Sequence, residues 1–292
     1  MNGLLVIKKE KNMTSHDVIN KLRRILNTKK IGHLGTLDPL ATGVLVVCVG
    51  EATKLAQFIE NVDKTYIAEV CLGKSTSTMD EEGEVIEEKS INSIDLENLK
   101  NTLNSFLGLS KQIPPIYSAI KVNGMKLYDY ARSGKEVDII ARDIEIKDIN
   151  LLNEPVFKNN KCYFKIETTV SKGTYIRSLC NDIGRKLGVP SYMSDLIRTK
   201  NGVFSINEAY SLEDVAIGNF KFINMIDSLG NLPKTNDENL ISKAKNGMKI
   251  SKNNINDIFN FLPNQLAIYK DDKLYAIYQI DELCYKAVRV WN

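Results

Sequence analysis

One carboxylate stands out by its surroundings. Asp38 lies in the stretch GHLGTLDPLATG, residues 32–43, where three glycines and a proline interrupt any regular element. Pro39 biases Asp38 toward an extended backbone and stiffens the loop. A carboxylate held rigidly at the mouth of a sheet can serve as a covalent nucleophile. The glycines would let another backbone approach closely. The same pattern fits an ordinary loop aspartate bonded to its own backbone, and spacing alone favours that plainer role. A phosphate-binding loop would follow its glycines with Lys and Ser or Thr, which this stretch lacks, so nucleotide binding is not favoured.

Little else in the chain suggests catalysis by itself. Cys48, Cys71, Cys162, Cys180 and Cys284 are scattered, odd in number and never spaced as C-x-x-C. They imply neither a disulfide framework nor a zinc site, only buried thiols in a reducing cytosol. His16 and His33 are the only histidines, so no all-protein metal site is expected. Of the 292 residues 43% are hydrophobic and 26% charged, which suits a folded, water-soluble protein with a sizeable core. The apolar run 44–49 is too short to span a bilayer, and no secretory signal is expected. The net charge of +3 hides an uneven distribution. Eight basic residues from Lys8 to Lys30 face only Glu10 and Asp17, and eight acids from Asp80 to Glu97 face only Lys89. A basic stretch of that kind attracts a polyanion, or is simply a solvated helix face.

The elements around Asp38 follow from periodicity. Residues 4–7 read as a strand. Thr14 caps a helix with Asp17 three residues on, and Val18, Ile19, Leu22, Ile25 and Leu26 form its apolar face as far as Asn27. Residues 32–43 read as an irregular loop, 44–49 as a buried strand, 52–61 as a helix and 65–72 as a strand. The acidic segment 75–89 reads as an exposed loop, and 95–106 as a helix. Pro114 and Pro115 break the chain; 117–122 is extended, Asn123 and Gly124 form a turn, and 127–133 is a short helix. Strands over 137–152 and 162–170 precede a helix over 174–187 that stops at Gly188. A short strand covers 202–206. Composition turns polar around 229–239, which marks a domain boundary. Strands over 266–270, 274–280 and 284–291 then suit a small β-barrel. Strands and helices mix without a βαβ rhythm, so the class is α+β.

Five segments, in order, resemble the TruB family of tRNA pseudouridine synthases: GHLGTLDPLATG at 32–43; KTY at 64–66; QIPPIYSAIKVNG at 112–124 with LYDYAR at 127–132; SKGTYIR at 171–177; and LIRT at 196–199 with Gly202 and Phe204. The resemblance runs to about residue 206. It implies conversion of uridine to pseudouridine in the T-loop of tRNA, at the position conventionally numbered 55. It assigns Asp38 as the nucleophile, Arg177 as its cationic partner, and Tyr66 as the ring stacking on a flipped base and a candidate to take the C5 proton. Tyr175 and Leu196 become pocket walls contacting the base, and His33 fills the space the flipped nucleotide leaves. Residues 112–132 resemble the family's RNA-gripping insertion, placed at about 108–152.

Five positions depart from the family pattern. Glu10 replaces the usual Pro of the first motif (KKEKNMTS, 8–15) and Asn12 the usual Gly; Asn tolerates a left-handed backbone, so the turn is expected to survive. Leu34 stands where Thr is commoner, and Ile197 replaces an Arg. Tyr192 also stands where His is common. None touches Asp38, Tyr66 or Arg177.

The implied architecture is an α+β catalytic domain, residues 1–232, on a mixed, largely antiparallel sheet, with a small β-rich PUA-like domain at 236–292. The implied enzyme needs no cofactor, metal, membrane or guide RNA, binds tRNA through its T-stem-loop, and works as a cytoplasmic monomer. A non-catalytic RNA-binding or tRNA-folding protein using the same cleft is the alternative. A phosphoryl-transfer enzyme with an Asp nucleophile would need a metal and a phosphate cradle, which the sequence does not offer.

Overall fold

The structure, a computed structural model, describes residues 1–291. A large sheet runs in the order Gly3–Lys9, Thr42–Val49, Ser191–Asn201, Lys64–Leu72, Lys161–Val170, Arg142–Leu151 and Gly108–Gln112. These neighbours are antiparallel except where Ser191–Asn201 meets Thr42–Val49, joined only by Ile197–Thr42 and Arg198–Gly43. The unbroken apolar run in Thr42–Val49 is explained by burial on both faces. Val44, Val46 and Cys48 enter one core cluster, while Leu45, Val47 and Val49 enter another with the apolar face of helix Ser15–Ile25. The sheet face carrying Ala68, Val70, Leu72, Phe164 and Ile166 is covered by helices that include Leu99, Leu103, Leu179 and Ile183.

Several expectations are corrected. Residues 32–43 are not irregular throughout: Ile31–Leu34 pairs antiparallel with Thr42–Val49, which leaves a loop of only 35–41. Ser191–Asn201 is an eleven-residue strand near the sheet's middle, although its charged and hydroxyl residues hide any apolar alternation. The segment 52–61 begins as a 3-10 helix at Gly50–Leu55 and becomes α-helical only at Ala56–Ile59. The strand expected over 137–152 starts later, at Arg142–Leu151. The acidic segment 75–89 is not an open loop. Lys74–Thr76 and Val85–Glu88 pair as a hairpin, and Met193 N–H donates to Met79 O at 3.1 Å to dock its tip on the central strand.

Toward the C-terminus, Lys234–Thr235, Gln265–Lys270, Lys273–Ile280, Cys284–Val290 and Ile250–Ser251 form a five-stranded curled sheet of PUA-like form. Its core also includes Leu240, Ile241, Ala244 and Ile255 from helices Glu238–Lys245 and Lys252–Phe259, which the strand-based reading did not anticipate. The opposite face of this sheet packs on the large one. Ala267, Leu274, Ile277 and Trp291 share a core cluster with Leu4, Val46 and Leu55. Trp291 Nε1 donates to Glu51 O at 3.1 Å, and its ring lies 6.5 Å from that of Phe58. Among the described residues, no helix is long and apolar enough to cross a membrane.

Candidate active site

The loop bearing Asp38 is held from three sides. Thr14 caps helix Ser15–Ile25 in a reciprocal box with Asp17, and this fixes the next residue, Ser15. Ser15 Oγ accepts from Leu37 N–H at 2.9 Å and donates to Leu37 O at 3.1 Å. From the first motif, the ammonium of Lys9, only 1% exposed, donates to the carbonyls of Glu10, Met13 and Pro39 at 2.9, 2.6 and 3.1 Å. Burial lowers its pKa to about 8, partly offset by the nearby Asp38 charge. Asn12 N–H adds a bond to Pro39 O at 2.9 Å, and Asn12 holds φ +65°, the left-handed turn expected there. From the central strand, Arg198 Nε donates to Val44 O at 2.8 Å and Nη2 to Gly35 O at 2.7 Å. Gly43 permits this approach: at its φ of +98°, a β-carbon would lie 2.2 Å from Arg198 O.

Asp38 is 39% exposed at its side chain, and Arg177 lies behind it, 6% exposed. Arg177 Nε sits 3.0 Å from Asp38 Oδ2, an ion pair whose angle is poor for a hydrogen bond. The rest of the guanidinium is anchored. Nη2 donates to Tyr117 O at 2.9 Å, and Nη1 reaches Thr78 O at 3.2 Å and Asp80 Oδ2 at 3.3 Å. Arg177 is therefore no surface helix residue: it bridges two carboxylates.

Asp80 is the residue that sequence reasoning missed. It is 5% exposed and sits at the hairpin tip. Its Oδ1 accepts from Thr78 Oγ1 and from Glu82 N–H, while Thr76 Oγ1 donates to its backbone carbonyl. The preceding Met79 takes φ +61°. The signal available was the hydroxyl run 75–78 before it and Gly83 after it, which mark a built turn within the acidic tract.

A cavity of about 440 Å³ opens in front of Asp38, lined in part by Tyr66, Tyr175, Leu196, Arg177, Lys64 and Arg198. Tyr66 and Leu196 lie on neighbouring strands, with Arg198 opposite Tyr66 and Leu196 opposite Ala68. Tyr175 precedes helix Ile176–Leu187, and Gln112 clamps its backbone. The Gln112 amide accepts from Tyr175 N–H at 2.8 Å and donates to Tyr175 O at 3.1 Å. Burial raises the Tyr175 phenol above its usual pKa. Five of the six expected residues thus share one cavity. His33 does not line it. It sits opposite Val47 in the Ile31–Leu34 strand with Nδ1 unpartnered, and burial, then Arg198, holds its pKa below the usual value. Among the described residues, no cluster of His, Cys, Asp or Glu is arranged to hold a metal.

The loop aspartate, the buried arginine and the two tyrosines thus meet at one cavity on the mixed sheet. The N-terminal model of the TruB family pseudouridylate synthases matches residues 23–176, and the model of the tRNA pseudouridylate synthase B C-terminal domain matches 177–221. The chain belongs to the TruB family of pseudouridylate synthases. Proteins named tRNA pseudouridine synthase B from Staphylococcus aureus strains MSSA476 and Newman are each 43% identical to it over 296 residues, covering 96% of this chain and 94% of theirs. Two solved structures share the fold: an H/ACA RNP bound to a substrate RNA containing 2'-deoxyuridine, with TM-score 0.71 and 21% identity, and an archaeal box H/ACA sRNP Nop10–Cbf5 complex, with 0.69 and 22%. Each comparison covers 99% of this chain and 85% of the other.

Proposed function

We propose that this enzyme isomerises uridine to pseudouridine in the T-loop of tRNA, at the position conventionally numbered 55, with Asp38 as the nucleophile. The observation that carries the role of Asp38 is its placement: partly exposed at a cavity floor, on a loop fixed by Lys9, Ser15 and Arg198, with Arg177 at 3.0 Å. A base inside a folded RNA cannot reach Asp38, so the nucleotide is flipped into the cavity. The N1–C1′ bond breaks, the uracil turns, and C5 joins C1′; C5 then gives up its proton and the freed N1 takes one up. Asp38 attacks C1′ or C6, or assists through a glycal; all three routes conserve atoms and need no redox cofactor. Tyr66 stacks on the base and its hydroxyl is the candidate to receive the C5 proton, while Tyr175 and Leu196 wall the pocket; that all three line the cavity supports these roles. His33 would fill the gap left in the RNA, a role its position outside the cavity wall permits.

The enzyme acts on the T-stem-loop as a cytoplasmic monomer without guide RNA. Residues 1–232 form the catalytic unit, with the gripping insertion at about 108–152, and 236–292 the appended unit. The separate core of the five-stranded sheet supports that division. The test is tritium release from C5-labelled uridine in unmodified tRNA, wild type beside Asp38→Ala. Release by wild type alone, mapped to one T-loop uridine, is expected. Tight tRNA binding with no release from either protein would turn the reading to an RNA-binding protein.

A further inference from the structure

One buried charge in the cavity has no part in the chemistry above. Lys64 is 8% exposed, and its ammonium makes one hydrogen bond, to Val62 O at 3.1 Å. The acids whose charges reach it are committed elsewhere: Glu60 pairs with Lys172 at 3.4 Å and Asp63 with Lys147 at 2.7 Å. Among the described residues Lys64 has no carboxylate partner. The charge that acts on it most strongly is instead that of a second cation, Arg198. A β-carbon on Gly35 would lie 3.2 Å from Lys64 Cε and 3.3 Å from Arg198 Nη1, so both groups crowd the same notch beside the nucleophile loop. Arg198 spends Nε and Nη2 on Val44 O and Gly35 O, which leaves Nη1 facing that notch. Two adjacent cations out of water with no counter-ion are unfavourable, and an anion seated between them relieves the cost. Burial, then Arg198, then Lys172 lowers the Lys64 pKa to about 8, with Glu60 and Asp63 opposing, so the ammonium is still mostly charged at neutral pH.

The spacing indicates which anion. Lys64 and Tyr66 are two apart on one strand and face the same side, roughly 6.6 Å from each other along the chain. That is about the span from a nucleobase to its own phosphate. We propose that Lys64, with Arg198 Nη1 beside it, receives a backbone phosphate flanking the uridine whose base stacks on Tyr66. This subsite rests on the flipped-nucleotide reading, and Gly35 keeps the notch open for it.

The test is a double-mutant cycle between protein and RNA. Binding of a T-arm hairpin is measured with Asp38→Asn protein, so that the RNA stays unconverted. One linkage, 5′ or 3′ of the target uridine, is replaced by an uncharged methylphosphonate. One of the two replacements is expected to weaken binding about ten-fold when Lys64 is present and less than about two-fold in Lys64→Gln. Lys64→Gln should itself lose about ten-fold on the all-phosphate hairpin, with its salt slope shallower by about one, and Lys64→Arg should recover most of that loss. Penalties that add in full would overturn the subsite. So would an absence of loss at both linkages on the Lys64 protein, a result that needs no variant at position 64 to fold. Tritium release by wild type is followed in parallel: release with additive penalties removes only the phosphate subsite, whereas no release removes the catalytic reading beneath it.

Discussion

Asp80→Asn offers the sharpest check on the site as read here. Arg177 is gripped at both edges, by Asp38 at Nε and by Asp80 with Thr78 O at Nη1, and Tyr117 O holds Nη2. The substitution keeps the size of the side chain and removes its charge. A bond between two opposite charges becomes one between the guanidinium and a neutral amide, a loss of about 1.5 kcal/mol that lowers stability modestly. The larger effect falls on geometry. With Asp38 the sole remaining carboxylate in contact among the described residues, the guanidinium is drawn forward and its ion pair with Asp38 changes. A displacement near 1 Å at a reacting group costs about a hundred-fold in rate. Asp80 does not line the cavity, so RNA affinity should be spared. Single-turnover tritium release should therefore slow about a hundred-fold while the tRNA Kd stays within about three-fold. A folded variant that reacts within about three-fold of wild type would refute the positioning role. A loss confined to Kd would instead mean that the hairpin touches RNA.

Three further outcomes follow from the packing and charge. Gly43→Ala places a methyl 2.2 Å from Arg198 O at a left-handed backbone, so a destabilisation of about 2–4 kcal/mol is expected in chemical denaturation; an unchanged midpoint would contradict the contact. Lys64→Met should raise the melting temperature at pH 7. The folded pKa of about 8 lies below the free value of 10.5, so the burial penalty is whole below pH 8 and fades as pH rises to 10.5; it amounts to at most about 3 kcal/mol. The advantage of the variant should shrink across that window, and a constant advantage would count against it. Trp291→Ala empties a buried site at the junction of the two sheets, a cost of about 3–5 kcal/mol, and calorimetry should show the five-stranded sheet melting earlier as a separate transition. A single unchanged transition would show that the junction does not depend on Trp291.

What was legible in the sequence divides along physical lines. The helix over 15–25 could be read because its cap and its apolar face are both local signals, and the structure shows both. The turn at Asn12 could be read because few residues other than Asn and Gly occupy φ +65° comfortably. Asp38 was visible only as a carboxylate in an unusual loop. What lifts it above an ordinary loop aspartate is Lys9, Ser15 and Arg198 converging from positions far apart in the chain, which no local pattern encodes. The central strand Ser191–Asn201 was missed for a related reason. Arg198 is fully buried there because it satisfies backbone carbonyls across the strand junction, so a charged residue occupies a core position and the alternation fails.

Asp80 shows the limit most clearly. Six acids lie between Asp80 and Glu88, and a tract of that kind normally marks a solvated segment. Five of them are exposed or partly so, and one is buried against Arg177. The buried one differs from its neighbours in having Thr76 and Thr78 on its near side and a left-handed Met79 just before it. Those features satisfy its backbone and one carboxylate oxygen within the hairpin, so the other oxygen is free to point inward. A carboxylate can be buried only if a cation comes to meet it. That cation, Arg177, is ninety-seven residues away in the chain. The buried acid was therefore hidden in the place where composition argued most strongly for solvent, and it is distinguished by a long-range pairing that only the folded chain displays.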